Sequence, residues 1–187
     1  MAEPLPFHDE AAEILAEQVE AIARVDERVV GELLQAISSA NRIFLLGEGR
    51  SGLVGRMFAM RLMHLGHQAF VVGETTTPSI AEGDLLIAIS GSGETGAVVM
   101  LAEGAKKAGA QIAAVTANSG SRLAGLADRV VLLPTQHKLE GSSSRQYGGS
   151  LFEQTTLLLF ETIVSMLAGS DAATGFASLA KRHANLE

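Results

Sequence analysis

The chain has 187 residues, 21 of them acidic and 14 basic, for a formal net charge of -7. This length suits one domain with a sizeable core, and the acidic balance argues against a nucleic-acid groove or an anionic membrane surface. The lack of cysteine excludes disulfides, thiolate metal sites and cysteine nucleophiles, and makes the cytoplasm the expected compartment.

Near the start, Glu3, Asp9 and Glu10 stand where a signal peptide needs a basic and then an apolar segment, so secretion is not expected. Residues 9–40 follow, with Ile14, Val19, Ile22, Val25, Val29 and Val30 at helical spacing among charges; one long or broken amphipathic helix is expected there. Short apolar runs come next, at residues 42–46, 69–72, 85–89, 112–116 and 130–133. Each has the length of a strand. Helical patterns lie between them at residues 52–65 and 95–108, with a shorter one at 123–127. This alternation predicts a parallel sheet covered on both faces by helices.

Residues 135–149 are poor in apolar side chains and rich in glycine and serine, which predicts a mobile loop. Ser150 and Glu153 then open another helix with the spacing of a capping box, in which each satisfies the other's free backbone donor. The most apolar stretch, residues 157–167, contains Glu161 and falls short of the roughly 20 residues that span a bilayer. It reads as a buried or interface helix. Residues 170–187 form a mixed tail. The whole is expected to be one domain over 1–187, with a helical segment at 1–40, an α/β core at 41–169 and the tail at 170–187. The hydrophobic fraction of 47% and mean hydropathy of +0.26 are high for a small monomer, which points to contact between subunits.

Two loops carry the chemistry. The first strand ends in Gly47-Glu48-Gly49-Arg50-Ser51-Gly52 and runs into a helix, so unpaired backbone N–H groups and a positive dipole end face any anion placed there. On its letters this is also a dinucleotide fingerprint, with Glu74 at a distance suited to a ribose hydroxyl. The third strand ends in Ser90-Gly91-Ser92-Gly93-Glu94-Thr95 and again meets a helix. In the flavodoxin-like strand order 2-1-3-4-5, strands one and three are neighbours, so both loops would open on one crevice. There Ser51, Ser90, Ser92 and Thr95 offer hydroxyls, and Gly91 and Gly93 let a phosphate approach the backbone. A dinucleotide site has no use for this second hydroxyl cluster. Taken singly, each serine also fits a helix cap.

The second loop resembles the phosphosugar-binding signature of the sugar isomerase (SIS) domain. More narrowly, Gly49-Arg50-Ser51-Gly52, residues 58–66, Val72-Gly73-Glu74, residues 149–154 and residues 183–187 together resemble the 6-phospho-3-hexuloisomerase group, over nearly the whole chain. Two departures are Glu48, where a small residue is expected, and Tyr147-Gly148 before Gly149 in place of a proline-containing approach. The resemblance implies a single SIS domain that interconverts 3-hexulose 6-phosphate and fructose 6-phosphate through a cis-enediol, in formaldehyde fixation by the ribulose monophosphate pathway. It implies no cofactor and no metal. Glu153 would be the base, and His183 in the tail a second proton-handling group, in its own pocket or a neighbouring subunit's. Arg50, Glu94 and His64 are candidates for the sugar and its phosphate, although each also fits a solvated or packed role. It further implies a tetramer built as a dimer of dimers, with the N-terminal helix and the helix from Ser150 burying apolar faces. Another SIS isomerase or a non-catalytic phosphosugar sensor are the alternatives; no nucleic-acid or membrane partner is expected.

Overall fold

The computed structural model describes residues 5–135, 144–169, 181–183 and 185. The middle of the expected mobile loop and most of the tail lie outside the described residues. The expected N-terminal helix is broken into α1 (Phe7–Ala23) and α2 (Glu27–Ser39). The break falls where Asp26 turns extended and its carboxylate accepts the Arg28 amide at 2.9 Å, capping the second helix.

Strand and helix then alternate as β1 (Ile43–Gly47), α3 (Gly49–His64), β2 (Ala69–Val71), β3 (Leu85–Ile89), α4 (Gly96–Lys107), β4 (Gln111–Thr116), α5 (Arg122–Leu126), β5 (Arg129–Leu132) and α6 (Ser150–Ala168). The strands form one parallel sheet in the order β2-β1-β3-β4-β5, the expected arrangement.

The sheet is apolar on both faces because successive side chains alternate. Ile43 and Leu45 of β1, Leu85, Ile87 and Ile89 of β3, and Ala113 and Val115 of β4 join one core with residues of α2, α3 and α6. Phe44 and Leu46, Leu86 and Ala88, and Ile112 and Ala114 face the other way, against α4 and α5. In the first core the rings of Phe58 on α3 and Phe160 on α6 stack with centroids 4.1 Å apart, so these two helices are packed directly on each other. Helix α6 is long and apolar enough to cross a membrane by length and composition, yet its Phe152, Leu159, Phe160 and Ile163 are core residues here.

At the amino ends of the strands, Arg42 donates to Asp84 at 2.6 and 3.1 Å. Burial pushes the Asp84 carboxyl up, but the Arg42 guanidinium and the Ala81 amide outweigh it and hold the pKa below the ordinary value. The carboxyl ends are open by contrast. Gly47 of β1 lies opposite Ile89 of β3, so the two glycine and serine loops leave the sheet side by side.

Candidate active site

The first loop is tighter than the sequence suggests, because α3 begins at Gly49 and takes the glycine motif into its first turn. A Cβ on Gly52 would stand 2.5 Å from the Gly47 carbonyl oxygen, so only glycine lets the helix start this close to the strand. Ser51 lies in that turn, and its hydroxyl makes no hydrogen bond among the described residues. The free N–H groups of a first helical turn lie beside it.

The second loop is held from within and from below. The Ser90 hydroxyl lies 3.0 Å from that of Thr95 and accepts the Gly93 amide at 3.1 Å, while Ser92 accepts the Glu94 amide at 3.2 Å. From the end of β4, the Thr116 hydroxyl donates to the Gly91 carbonyl at 3.2 Å and the Asn118 amide group to the Ser92 carbonyl at 3.3 Å. Gly93 has φ +65° and lies so close to Ser121 that any Cβ would meet its hydroxyl at 2.0 Å. The amides of Gly91, Ser92 and Thr95 have no hydrogen-bond partner among the described residues. A rigid loop with unspent donors at a helix start is suited to an anion.

Helix α6 closes the third side of the site. Phe152 packs on Gly91, within 3.2 Å of where a Cβ would stand, which seats the head of α6 on the second loop. The next residue, Glu153, reaches the first loop and accepts a hydrogen bond from Arg50 Nε. The Glu153 side chain is 5% exposed and that of Arg50 59%, so a buried carboxylate is matched by a cation that faces solvent. The expected capping box is not formed. Gly149 occupies the N-cap, the Ser150 hydroxyl donates to the Tyr147 carbonyl at 2.8 Å, and the Glu153 side chain is turned to Arg50. With glycine at the cap, the glutamate side chain pairs with Arg50 instead.

Other candidates are placed elsewhere. Glu94 accepts from both the amide and Nε of Arg122, each at 2.8 Å, and these bonds hold its pKa below the ordinary carboxylate value. Glu74, the would-be ribose ligand, pairs with Arg56 at 2.6 Å. His64 ends α3, so about 20 Å of helix separates it from Arg50. His183 stacks on it there, with ring centroids 5.5 Å apart. His64 is buried and its Nδ1 has no hydrogen-bond partner among the described residues; burial first, then the His183 ring and Arg61, push its pKa down. Within one chain, therefore, the two histidines do not join Arg50 and Glu153.

Two supports were missed by sequence reasoning. Thr116 and Asn118 hydrogen-bond to the second loop and Ser121 packs beside its Gly93, and the turn-forming string from Thr116 to Ser121 at a strand end was the available signal. Glu17 on α1 accepts from the Ser144 hydroxyl at 2.7 Å, the Arg145 amide at 2.8 Å and the Gln146 side chain at 2.9 Å, tying α1 to the approach to α6. Sequence carried no signal for that contact.

Comparison with known proteins places this geometry in context. The SIS domain model matches residues 36–147. A 3-hexulose-6-phosphate isomerase of Mycobacterium gastri is 50% identical over 91% of this chain and 86% of its own, and one of Bacillus subtilis is 42% identical over 94% and 96%. A crystal structure from Methanococcus jannaschii, for which a molecular function of 3-hexulose-6-phosphate isomerase has been inferred, superposes with a TM-score of 0.80 at 36% identity, covering 95% of this chain and 97% of that one.

Proposed function

The chain belongs to the SIS domain family, and from that premise we propose that it interconverts 3-hexulose 6-phosphate and fructose 6-phosphate. One observation carries the reading: a buried carboxylate, Glu153, at the head of α6 between two anion-binding loops that open from adjacent strands. The phosphate is bound by the hydroxyls of Ser51, Ser90, Ser92 and Thr95 and by the loop amides around Gly91 and Gly93. That anchors the far end of the sugar and leaves its carbonyl end to Glu153.

The reaction is a carbonyl shift between neighbouring carbons. Glu153 takes the proton from C2 of the 3-hexulose, the C–H electrons become the C2–C3 double bond, and the C3 oxygen gains a proton to give the enediol. Return of a proton from Glu153 to C3, with loss of the C2 hydroxyl proton, yields the ketone at C2. No electron leaves the substrate, so the isomerisation needs no redox partner. His183, assigned to the proton transfers at the substrate oxygens, stands at the far end of α3 in its own chain, so this role requires the tail of a neighbouring copy. A homo-oligomer, a tetramer arranged as a dimer of dimers, supplies one, and the exposed apolar residues Leu53, Met57, Met60 and Met63 on α3 provide contact area. The cytoplasm is the proposed location, as befits a phosphorylated metabolite.

The test is an NMR assay of 3-hexulose 6-phosphate conversion by the wild type and Glu153→Gln. The variant is expected to lose about a hundredfold or more in turnover, the contribution of a positioned base. Fructose 6-phosphate should still raise its melting temperature. Unchanged turnover removes Glu153 from the base role; binding without turnover in the wild type favours a sensor.

A further inference from the structure

Arg50 occupies an unusual place among the cations around the loops. Arg122, beside the second loop, is held by Glu94, and Arg56, further along α3, by Glu74. Arg50 stands next to Ser51 in the first turn of α3 and spends its Nε on the buried Glu153. Its side chain is nonetheless mostly exposed, so the guanidinium is open to solvent beside the first loop. A guanidinium is planar and forked, and serves carboxylate and phosphate equally well.

A phosphate seated at Ser51 therefore arrives beside a cation already engaged by the base. Two anions in one small crevice repel unless a cation lies between them. The phosphate, carrying the larger charge, draws Arg50 towards itself and loosens its hold on the carboxylate.

From this we infer that Arg50 is a positioning residue that couples phosphate binding to the general base: it pairs with Glu153 while the phosphate site is empty and is shared with or surrendered to the phosphate when substrate binds. This rests on the reading of Glu153 as the base. Its consequence is that the phosphate does more than anchor the sugar. Sugars without it meet a carboxylate still tied to Arg50, and react slowly even where they bind.

The substrate can be tested in two pieces. D-Fructose supplies the exchangeable C3 proton without a phosphate, and inorganic phosphite supplies the dianion. Exchange of that proton for deuterium, followed by NMR, is expected to rise roughly tenfold or more when phosphite saturates the wild type, a modest part of what remote binding energy contributes to catalysis. In Arg50→Gln and Arg50→Lys the same ratio should fall below about twofold at saturating phosphite, with saturation verified by the thermal shift phosphite produces. Arg50→Lys keeps the charge and covers the case in which Arg50→Gln does not fold. A wild type that phosphite does not stimulate overturns the coupling. So does a variant that keeps the wild-type ratio and only needs more phosphite to reach it, since Arg50 is then a simple anchor. Glu153→Gln run in parallel separates the two layers: if it still exchanges, the base assignment itself fails.

Discussion

Glu153 illustrates how one residue type serves two ends and how neighbours choose between them. Its spacing from Ser150 suits a capping box, but Gly149 takes the cap and Arg50 takes the carboxylate. Burial of the carboxylate is tolerated because the ion pair offsets its desolvation. Gly93 makes a complementary point about backbone. Its positive φ and its approach to Ser121 leave no room for a side chain, so Gly93→Ala must either adopt a left-handed conformation that costs about 1–2 kcal/mol or shift the loop. The expected result is a fall in kcat/KM on the order of a hundredfold, as displacement of an anchoring group by about an ångström produces. Unchanged kcat/KM in that variant, measured with 3-hexulose 6-phosphate, would dissociate the loop backbone from phosphate binding.

At the level of elements, the site is an assembly of three starts: those of α3, α4 and α6. The first two follow directly from their strands. The start of α6 is fixed from outside, by Phe152 on Gly91 and by Glu17 of α1 on residues 144–146. Burial raises the pKa of Glu17, but its hydrogen bonds to Arg145, Gln146 and Ser144 outweigh that and hold it below the ordinary carboxylate value. A carboxyl with a depressed folded-state pKa stabilises the protein above its unfolded value, and that contribution is lost as the pH falls through the folded value. Glu17→Ala is therefore expected to lower stability by about 1 kcal/mol near neutral pH, a small figure because the group is partly solvated. The deficit should vanish in acid, which urea unfolding at two pH values reads directly. Faster amide exchange at residues 144–149 in the variant would locate the effect; protection equal to the wild type would show that α1 does not hold this segment.

For the whole molecule, the question is what covers the outer face of α3. Leu53, Met57, Met60 and Met63 follow helical spacing and are all exposed, between 38% and 61%. Methionine adapts to irregular contact surfaces, and a stripe of it on an outer face suits a subunit interface. Replacement of both Met57 and Met60 by glutamate is expected to dissociate the proposed oligomer towards 19.5 kDa in light scattering, with the circular dichroism spectrum unchanged. If tails are exchanged between copies, activity should fall with dissociation. Full activity in a monomer would remove His183 of another copy from the mechanism.

Much of this architecture follows from short-range pattern. The five apolar runs dictated a parallel sheet and match the strands to within a residue; β1, β3 and β4 are buried on both faces, whereas β2 and β5 at the sheet edges are only partly buried. The two loops were equally legible, since glycine at a strand end followed by a helix has few other uses. What the linear order of residues could not express is contact between distant segments. That Glu153 meets Arg50, that Glu94 is spent on Arg122, and that His64 and His183 gather at the opposite end of α3 all depend on contacts between segments far apart in the chain. Periodicity and turn chemistry are local and survive in sequence; the pairing of charges is set by distances in space, which only the packed tertiary structure fixes.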